Sequence, residues 1–420
     1  MSGIYIHIPF CKQACSYCDF YFVTQDRLIP DFLDALICEV NSVPVCDGTP
    51  FPGDPIRSVY LGGGTPSRLS TRQRHRLFDA LHKRFDLSEV VECTIEVNPE
   101  DITAEGLADM KDGGITRLSL GIQSFQAELL KFMNRAHSAE QARQVLEFAV
   151  NAGFTSYSAD LIYGCPGQKT EQLLDDMKQL LEYDPPHVSA YSLTIEPRTR
   201  LGKLADLGRL AAAGENEIAE QSHLLRQMLA SHGINRYEVS NYAVPGHEAV
   251  HNSAYWSHEN YLGLGPSSHS FHWPPEQYYA VRWHHPPDIH AYIRTVSSPD
   301  FQDFLAAMCG QADHAFAREP WSRKAATSET TSTKAKNRET STPEMLSLET
   351  LAGERLMTGL RTVRGIDREE LASRYDYHLH PSQLRQIAVL RKEGFMEQND
   401  PLRLTGKGFD LADAVTLRLL

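Results

Sequence analysis

From the N-terminus to about residue 245, short runs rich in β-formers alternate with helical patterns. The strand-like runs are Ile4–Pro9, Ser58–Leu61, Cys93–Val97, Arg117–Gly121, Tyr157–Ile162, Val188–Leu193 and Tyr237–Ser240. Several read as continuously apolar, as strands buried on both faces do. The helical segments between them carry end signals. Ser138-Ala-Glu-Gln141 is a capping box, and Gly153 closes the helix it starts; Thr103 and Gly113 bracket another. Strand–helix alternation predicts an α/β fold with a parallel sheet and right-handed crossovers. About six units predict a partial or full (β/α)6-type barrel, with function at the carboxyl ends of its strands.

The pattern changes beyond residue 245. Residues 246–321 form an extension that contains His251-Asn-Ser-Ala-Tyr255. Residues 322–343 hold ten Ser or Thr in 22 positions and no Ile, Leu, Val, Met or aromatic residue. Such a stretch cannot bury enough surface to offset chain entropy and is expected to be a disordered linker. Residues 344–420 regain helical periodicity: Leu348, Leu351, Leu356, Met357 and Leu360 fit one face. Asp367 with Glu370 starts a second helix, and Leu384, Ile387, Val389 and Leu390 mark a third. A hairpin signal follows in Gly394–Glu397, Asn399-Asp400-Pro401 and Leu402–Thr405. This order predicts a small winged-helix-like module. Its 11 basic and 11 acidic residues from 348 to 420 cancel, which favours docking to protein over binding to DNA.

A length of 420 residues with net charge −13 fits two or three domains and disfavours nucleic acid or an anionic membrane as a general partner. No run of 18 apolar residues is present, so no transmembrane segment is expected, although peripheral membrane contact stays open. The N-terminal MSGIYIHIPFC lacks the regions of a signal peptide, which leads to an expectation of cytoplasmic residence. A monomer or a weak homodimer is expected.

Three of the eight cysteines crowd into Cys11-Lys-Gln-Ala-Cys15-Ser-Tyr-Cys18; Cys38, Cys46, Cys93, Cys165 and Cys309 are scattered and read as small hydrophobes. Soft thiolates favour zinc or iron–sulfur. A structural zinc site uses four ligands, and none follows closely after Cys18. Three thiolates on one loop can instead hold three irons of a [4Fe–4S] cubane. The fourth iron then stays open for the amino and carboxylate groups of S-adenosylmethionine.

Other polar features fall after strands. Gly62-Gly63-Gly64-Thr65 follows Leu61 without the Lys-Ser/Thr of a phosphate loop. It is either a tight turn or a backbone cradle for a ligand. Glu96 and Asp160 read as strand-end carboxylates, and Gln123 and Arg135 follow a strand. Arg135 also reads as a solvated helix residue and Asp160 as a turn former. Eight of the 18 histidines lie between His247 and His290.

These segments resemble a known family. The cysteine spacing at the end of a first strand is similar to that of the radical S-adenosylmethionine superfamily. Tyr5-Ile-His7-Ile-Pro9-Phe-Cys11, Gly62–Ser67, Gly121-Ile-Gln-Ser-Phe125, Asp160-Leu-Ile-Tyr-Gly164 and Tyr237–Tyr242 resemble the oxygen-independent coproporphyrinogen dehydrogenase family and its relatives, the heme chaperones. The resemblance implies that Tyr5, Gly64, Thr65, Glu96, Gln123, Arg135 and Asp160 contact S-adenosylmethionine, with Tyr17 near adenine. It also implies a heme-binding HNxxY motif in His251-Asn-Ser-Ala-Tyr255, where an imidazole can be an axial ligand and aromatic rings can pack on the macrocycle. A hydrogen-bonded histidine in a loop is the plain alternative.

Two functions compete under this resemblance. One is decarboxylation of coproporphyrinogen III to protoporphyrinogen IX; the other is binding heme and delivering it to acceptor hemoproteins. The dehydrogenases carry a further cysteine two residues after the third, where this chain has Phe20. They also carry an extension before the cluster loop, whereas Cys11 lies near the start here. With the HNxxY motif, these differences favour the heme chaperone.

Overall fold

The computed structural model describes residues 1–274, 277–309 and 343–420. The expected linker at 322–343 falls outside them except for Pro343. Among the described residues twelve strands form one mixed sheet: β1 (Ser2–Ile8), β2 (Ile56–Gly63), β3 (Glu92–Val97), β4 (Arg117–Gln123), β5 (Ser156–Tyr163), β6 (His187–Ser192), β7 (Asn235–Arg236), β8 (Asn241–Ala243), β9 (Asn260–Leu264), β10 (His269–His272), β11 (Tyr279–His284) and β12 (Glu344–Ser347). The spatial order is β12-β11-β10-β9-β1-β2-β3-β4-β5-β6-β8-β7. Strands β1 to β6 are parallel neighbours in chain order. The arc does not close on itself, because β9 flanks β1 and β8 flanks β6.

The sequence places a strand at Tyr237–Ser240; the structure makes this a turn between β7 and β8. Glu238 occupies the turn, with its carboxylate accepting from the Ser240 N–H. Helix ends follow the sequence signals more closely. Ser138 and Gln141 form the capping box of Ala139–Asn151, and Thr103 caps Ala104–Asp112. Asp367 caps Arg368–Tyr375, but Glu370 does not reach back to the cap. It forms a bidentate pair with Arg355 at 2.8 and 3.0 Å.

The parallel strands are not apolar on both faces. Ile4, Ile6, Val59, Leu61, Ile95, Leu118, Leu120, Ala159, Leu161 and Val188 point outward into the helix layer, within a core that includes Phe32, Leu33, Leu77 and Leu146. Their neighbours alternate inward by the period-2 rule. The barrel interior is therefore polar: Tyr5, His7, Ser58, Tyr60, Thr94, Glu96, Arg117, Ser119, Ser158, Asp160, His187 and Ser189, matched strand to strand by the register.

A second core joins Phe271, Ala280 and Leu346 of the sheet to Leu351, Leu356, Leu371, Ile387, Leu390 and Leu402 of the C-terminal unit. There Met396 pairs with Leu404 in an antiparallel bridge, as the hairpin signal predicts, and Ile366 pairs with Leu402 in another that the sequence does not signal. Met357, Leu384 and Val389 are exposed rather than buried; Val389 lies two residues from Ile387, on the far side of its helix. The unit grips the barrel through Arg282–Glu354 at 3.1 and 2.6 Å, Arg355 Nη1 to the Trp256 carbonyl at 3.1 Å, and the Val239 N–H to the Arg361 carbonyl at 3.0 Å. Among the described residues no helix is long and apolar enough to cross a membrane.

Candidate functional site

The loop after β1 leaves the carboxyl end of the barrel and carries Cys11, Cys15 and Cys18, all half-buried free thiols. It is tied down at both ends. The Cys11 N–H donates to the Val23 carbonyl at 2.9 Å, and the Ser16 N–H to the Met133 carbonyl at 2.9 Å. Asn134, at φ +55°, donates through Nδ2 to the Ala14 carbonyl at 2.7 Å, and Gln13 Nε2 donates to the Asn134 carbonyl at 2.7 Å.

One cation supports two of the thiols. Arg135 Nη1 donates to Cys15 Sγ at 3.4 Å, and its Nη2 donates to Asn98 Oδ1 at 2.6 Å and to the Gly121 carbonyl at 3.0 Å. Asn98 Nδ2 donates to Thr65 Oγ1 at 2.9 Å, and the Thr65 hydroxyl donates to Cys11 Sγ at 3.5 Å. Donors directed at sulfur suit thiolates that ligate iron. Burial pushes Cys11 up to about 12 and Cys18 up to about 11; ligation to cationic iron is what would displace those protons. Among the described residues no three His, Cys, Asp or Glu side chains could close on a single metal ion, these thiols included. A cubane takes its three thiolates on three separate irons. Arg135 Nε is buried without a partner, a further donor at the site. Asn98 escapes the sequence reading; its only sequence signal is its place just after a strand.

The three glycines are required by the protein's own packing. A Cβ at Gly62 would meet Glu96 Oε1 at 2.9 Å, and one at Gly63, whose φ is +106°, would meet the His7 ring at 2.5 Å. At Gly64 it would meet Pro9 C at 2.7 Å and Phe10 N at 2.8 Å. Gly64 thus lets β2 approach the start of the cysteine loop. Tyr17 packs beside Leu129, Leu130 and Met133. Gln123 ends β4 at φ +65°.

Deeper in the barrel, Glu96 accepts from Tyr60 OH at 2.9 Å and the Gly63 N–H at 3.1 Å; burial and then Asp160 raise it to about 7. Asp160 lies in the middle of β5 rather than at its end, and accepts from Ser119 Oγ at 2.6 Å and Ser158 Oγ at 2.8 Å. Burial raises it too. Both carboxylates remain half-open to the interior.

His251 lies at the opposite end. It belongs to helix Val250–Trp256, whose first N–H groups donate to Glu92 at 2.8 and 3.0 Å; an anion at a helix N-terminus fixes that helix under the strand starts. Ser58 Oγ lies 2.8 Å from His251 Nδ1, and Tyr255 OH 2.9 Å from Nε2. The ring stacks on Tyr60 at 5.1 Å and is 2% exposed. The resemblance makes His251 an axial imidazole and Tyr255 a ring packed on the macrocycle; in this conformation the two side chains contact each other. Both nitrogens are bonded internally, and coordination requires Tyr255 to release Nε2. The structure brings the cysteines, Thr65 and Arg135 together, places Tyr5, Glu96 and Asp160 in the interior beneath them, and sets His251 and Tyr255 at the far end.

Desolvation holds four buried histidines neutral: His251 and His258 at about 3, His7 at about 4, and His187 well below the usual value. In the unfolded chain each titrates near 6.5. The unfolded state therefore binds more protons below pH 6.5, and the stability these groups contribute is full above that pH. It is lost as pH falls toward their folded values. The cluster-free protein is expected to lose stability to urea steadily from pH 7 to pH 5. His258→Gln should reduce that slope by about one proton; an unchanged slope would mean that His258 is charged in the fold.

Comparison with known proteins bears on the fold and the family. Residues 5–180 match the radical SAM superfamily. The heme chaperone HemW of Bacillus subtilis (strain 168) is 37% identical over 274 residues, covering 64% of this chain and 71% of that protein. HemW of Escherichia coli (strain K12) is 36% identical over 273 residues, covering 64% and 69%. Coproporphyrinogen III oxidase (HemN) from E. coli shares the fold at TM-score 0.76 and 21% identity, over all of this chain and 89% of its own. The fold and the cysteine loop are those of a radical SAM protein. Within that superfamily, this chain belongs to the HemW family.

Proposed function

We propose that this protein is a heme chaperone, binding heme and delivering it to acceptor hemoproteins in the cytoplasm. The observation that carries the reading is its 36–37% identity to heme chaperones across nearly two-thirds of the chain. The likeness to the oxidase extends to fold alone. Cys11, Cys15 and Cys18 hold the [4Fe–4S] cluster, whose open iron supplies a binding position for S-adenosylmethionine. Thr65 and Arg135 donate to the sulfurs, with Asn98 joining them. Glu96 and Asp160 provide negative charge facing a cationic sulfonium and ammonium, and Tyr5, Tyr17, Gly64 and Gln123 shape the same space. On this reading residues 1–245 form the cofactor-bearing barrel, 246–321 the extension that contains the HNxxY motif and 344–420 a winged-helix-like C-terminal unit.

Anaerobically reconstituted protein, incubated in parallel with heme and with coproporphyrinogen III plus reductant and S-adenosylmethionine, tests this. A saturable Soret shift near one heme per chain is expected, without sustained release of carbon dioxide. Sustained decarboxylation with no saturable heme binding would make the oxidase the correct reading.

A further inference from the structure

His187 is buried on the inner face of the barrel, in the strand next to that of Asp160. The β5–β6 register sets it opposite Ser158 and sets Ser189 opposite Asp160. Its Nδ1 lies 2.9 Å from Ser158 Oγ, and its Nε2 lies 2.9 Å from Tyr237 OH. Ser158 Oγ in turn donates to Asp160 Oδ1 at 2.8 Å, while Ser119 Oγ donates to Oδ2 at 2.6 Å. A row of hydrogen bonds therefore runs Tyr237, His187, Ser158, Asp160. It begins at the far end of the barrel, where the Ala249 N–H donates to Tyr237 OH at 3.2 Å.

The outer end of this row sets the order of its protons. The Tyr237 oxygen accepts from Ala249, so its own proton is directed at His187 Nε2. Burial holds His187 neutral, and a neutral imidazole has one donor and one acceptor nitrogen. With Nε2 accepting, Nδ1–H donates to Ser158 Oγ. The single proton of Ser158 then goes to Asp160. The opposite tautomer would draw that proton back toward His187 and take a donor from the carboxylate.

We propose that His187 and Tyr237 are positioning residues for S-adenosylmethionine: they hold the Ser158 hydroxyl as a donor on Asp160, which keeps that carboxylate ionised toward a cationic ligand. This deepens the reading that Asp160 faces the cofactor and rests on it. Burial raises Asp160, and Ser119, Ser158, Ser189 and the Arg117 guanidinium act against that rise. The remaining groups that face it oppose its charge or share its surroundings: Glu96 on β3, Tyr60 on β2 and Tyr191 on β6. Hydrogen bonds to a carboxylate favour its charged form. Losing the Ser158 proton therefore moves Asp160 further up, and it becomes neutral at a higher pH.

The test uses full-length, cluster-loaded protein and measures the S-adenosylmethionine dissociation constant by anaerobic equilibrium dialysis at pH 6.5 and pH 8.5. Each variant is compared with the wild type at the same pH, so that the titration of Glu96 at about 7 cancels in the ratio. Asp160→Asn is expected to weaken binding about tenfold or more at pH 8.5. His187→Ala and Tyr237→Phe are each expected to weaken it about fivefold at pH 6.5 and less than about twofold at pH 8.5, where the carboxylate is ionised again. Tyr237→Phe keeps the ring and removes one hydroxyl, so it decides the matter if His187→Ala does not fold. An equal loss at both pH values in Tyr237→Phe would mean that Tyr237 serves the fold alone. Wild-type affinity at both would mean that Asp160 does not depend on the row. Either result overturns this inference and leaves the placement of Asp160 intact. Unchanged affinity in Asp160→Asn, or no saturable binding by the wild type, would overturn that placement as well.

Discussion

Replacing any one of Cys11, Cys15 or Cys18 by Ala is expected to remove most of the iron and the brown absorbance of anaerobically reconstituted protein. Three thiolates for three irons leave no spare ligand, and no other cysteine belongs to the loop. Cys93 and Cys309 are buried in the apolar core, and Cys38 lies on helix Ile29–Ser42. Replacing Cys38, Cys93 or Cys309 should leave the iron content near the wild-type value. Iron analysis and the visible spectrum of the two groups decide the matter; equal losses in both would remove the cluster from this loop. Arg135→Ala falls between the groups. It takes a donor from Cys15 and loosens the Asn98–Thr65 link to Cys11, but it leaves every ligand in place.

The second large effect is at His251, where the cluster-free, heme-free protein is expected to lose about 3 kcal/mol of unfolding free energy in His251→Ala. The substitution empties a volume beneath Tyr60 and beside Tyr5, and leaves Ser58 and Tyr255 hydroxyls without their partner in the interior. A buried void and unpaired polar groups together carry costs of about that size. Ser58→Ala, which orphans one nitrogen only, should cost about 1 kcal/mol. Urea unfolding at pH 7.5 measures both. An imidazole held in reserve for a ligand would be replaced at little cost to the protein without heme. A loss well under 1 kcal/mol in His251→Ala would therefore contradict the internal role assigned to it.

The HNxxY segment shows where sequence reasoning stops. A histidine and a tyrosine four residues apart on a helix face one another, so their closeness is a local property. Whether they look outward to a macrocycle or inward to Ser58 depends on what covers the helix. Here the covering comes from Gly3, Ser58 and Glu92 at the starts of three strands, which lie some 160 to 250 positions away along the chain. Ser158 and His187 show the converse. They are 29 residues apart with nothing local to relate them, and only the β5–β6 register makes them a pair.

What the chain determined locally was the cysteine loop, the alternation of strands and helices, and the helix caps at Thr103, Ser138 and Asp367. Each depends on residues a few positions apart, where spacing and side-chain type are enough. The tertiary structure decided the polar barrel interior. Tyr5, Tyr60 and Ser119 sit in strand runs, and Glu96 and Asp160 read as strand-end carboxylates; pairing shows that all five share one face. It likewise decided the link from Arg135 through Asn98 and Thr65 to Cys11, which joins four segments. Hydrogen-bond partners of this kind are set by strand register and crossover geometry, and these arise from packing the whole sheet against its helices rather than from any local stretch of sequence.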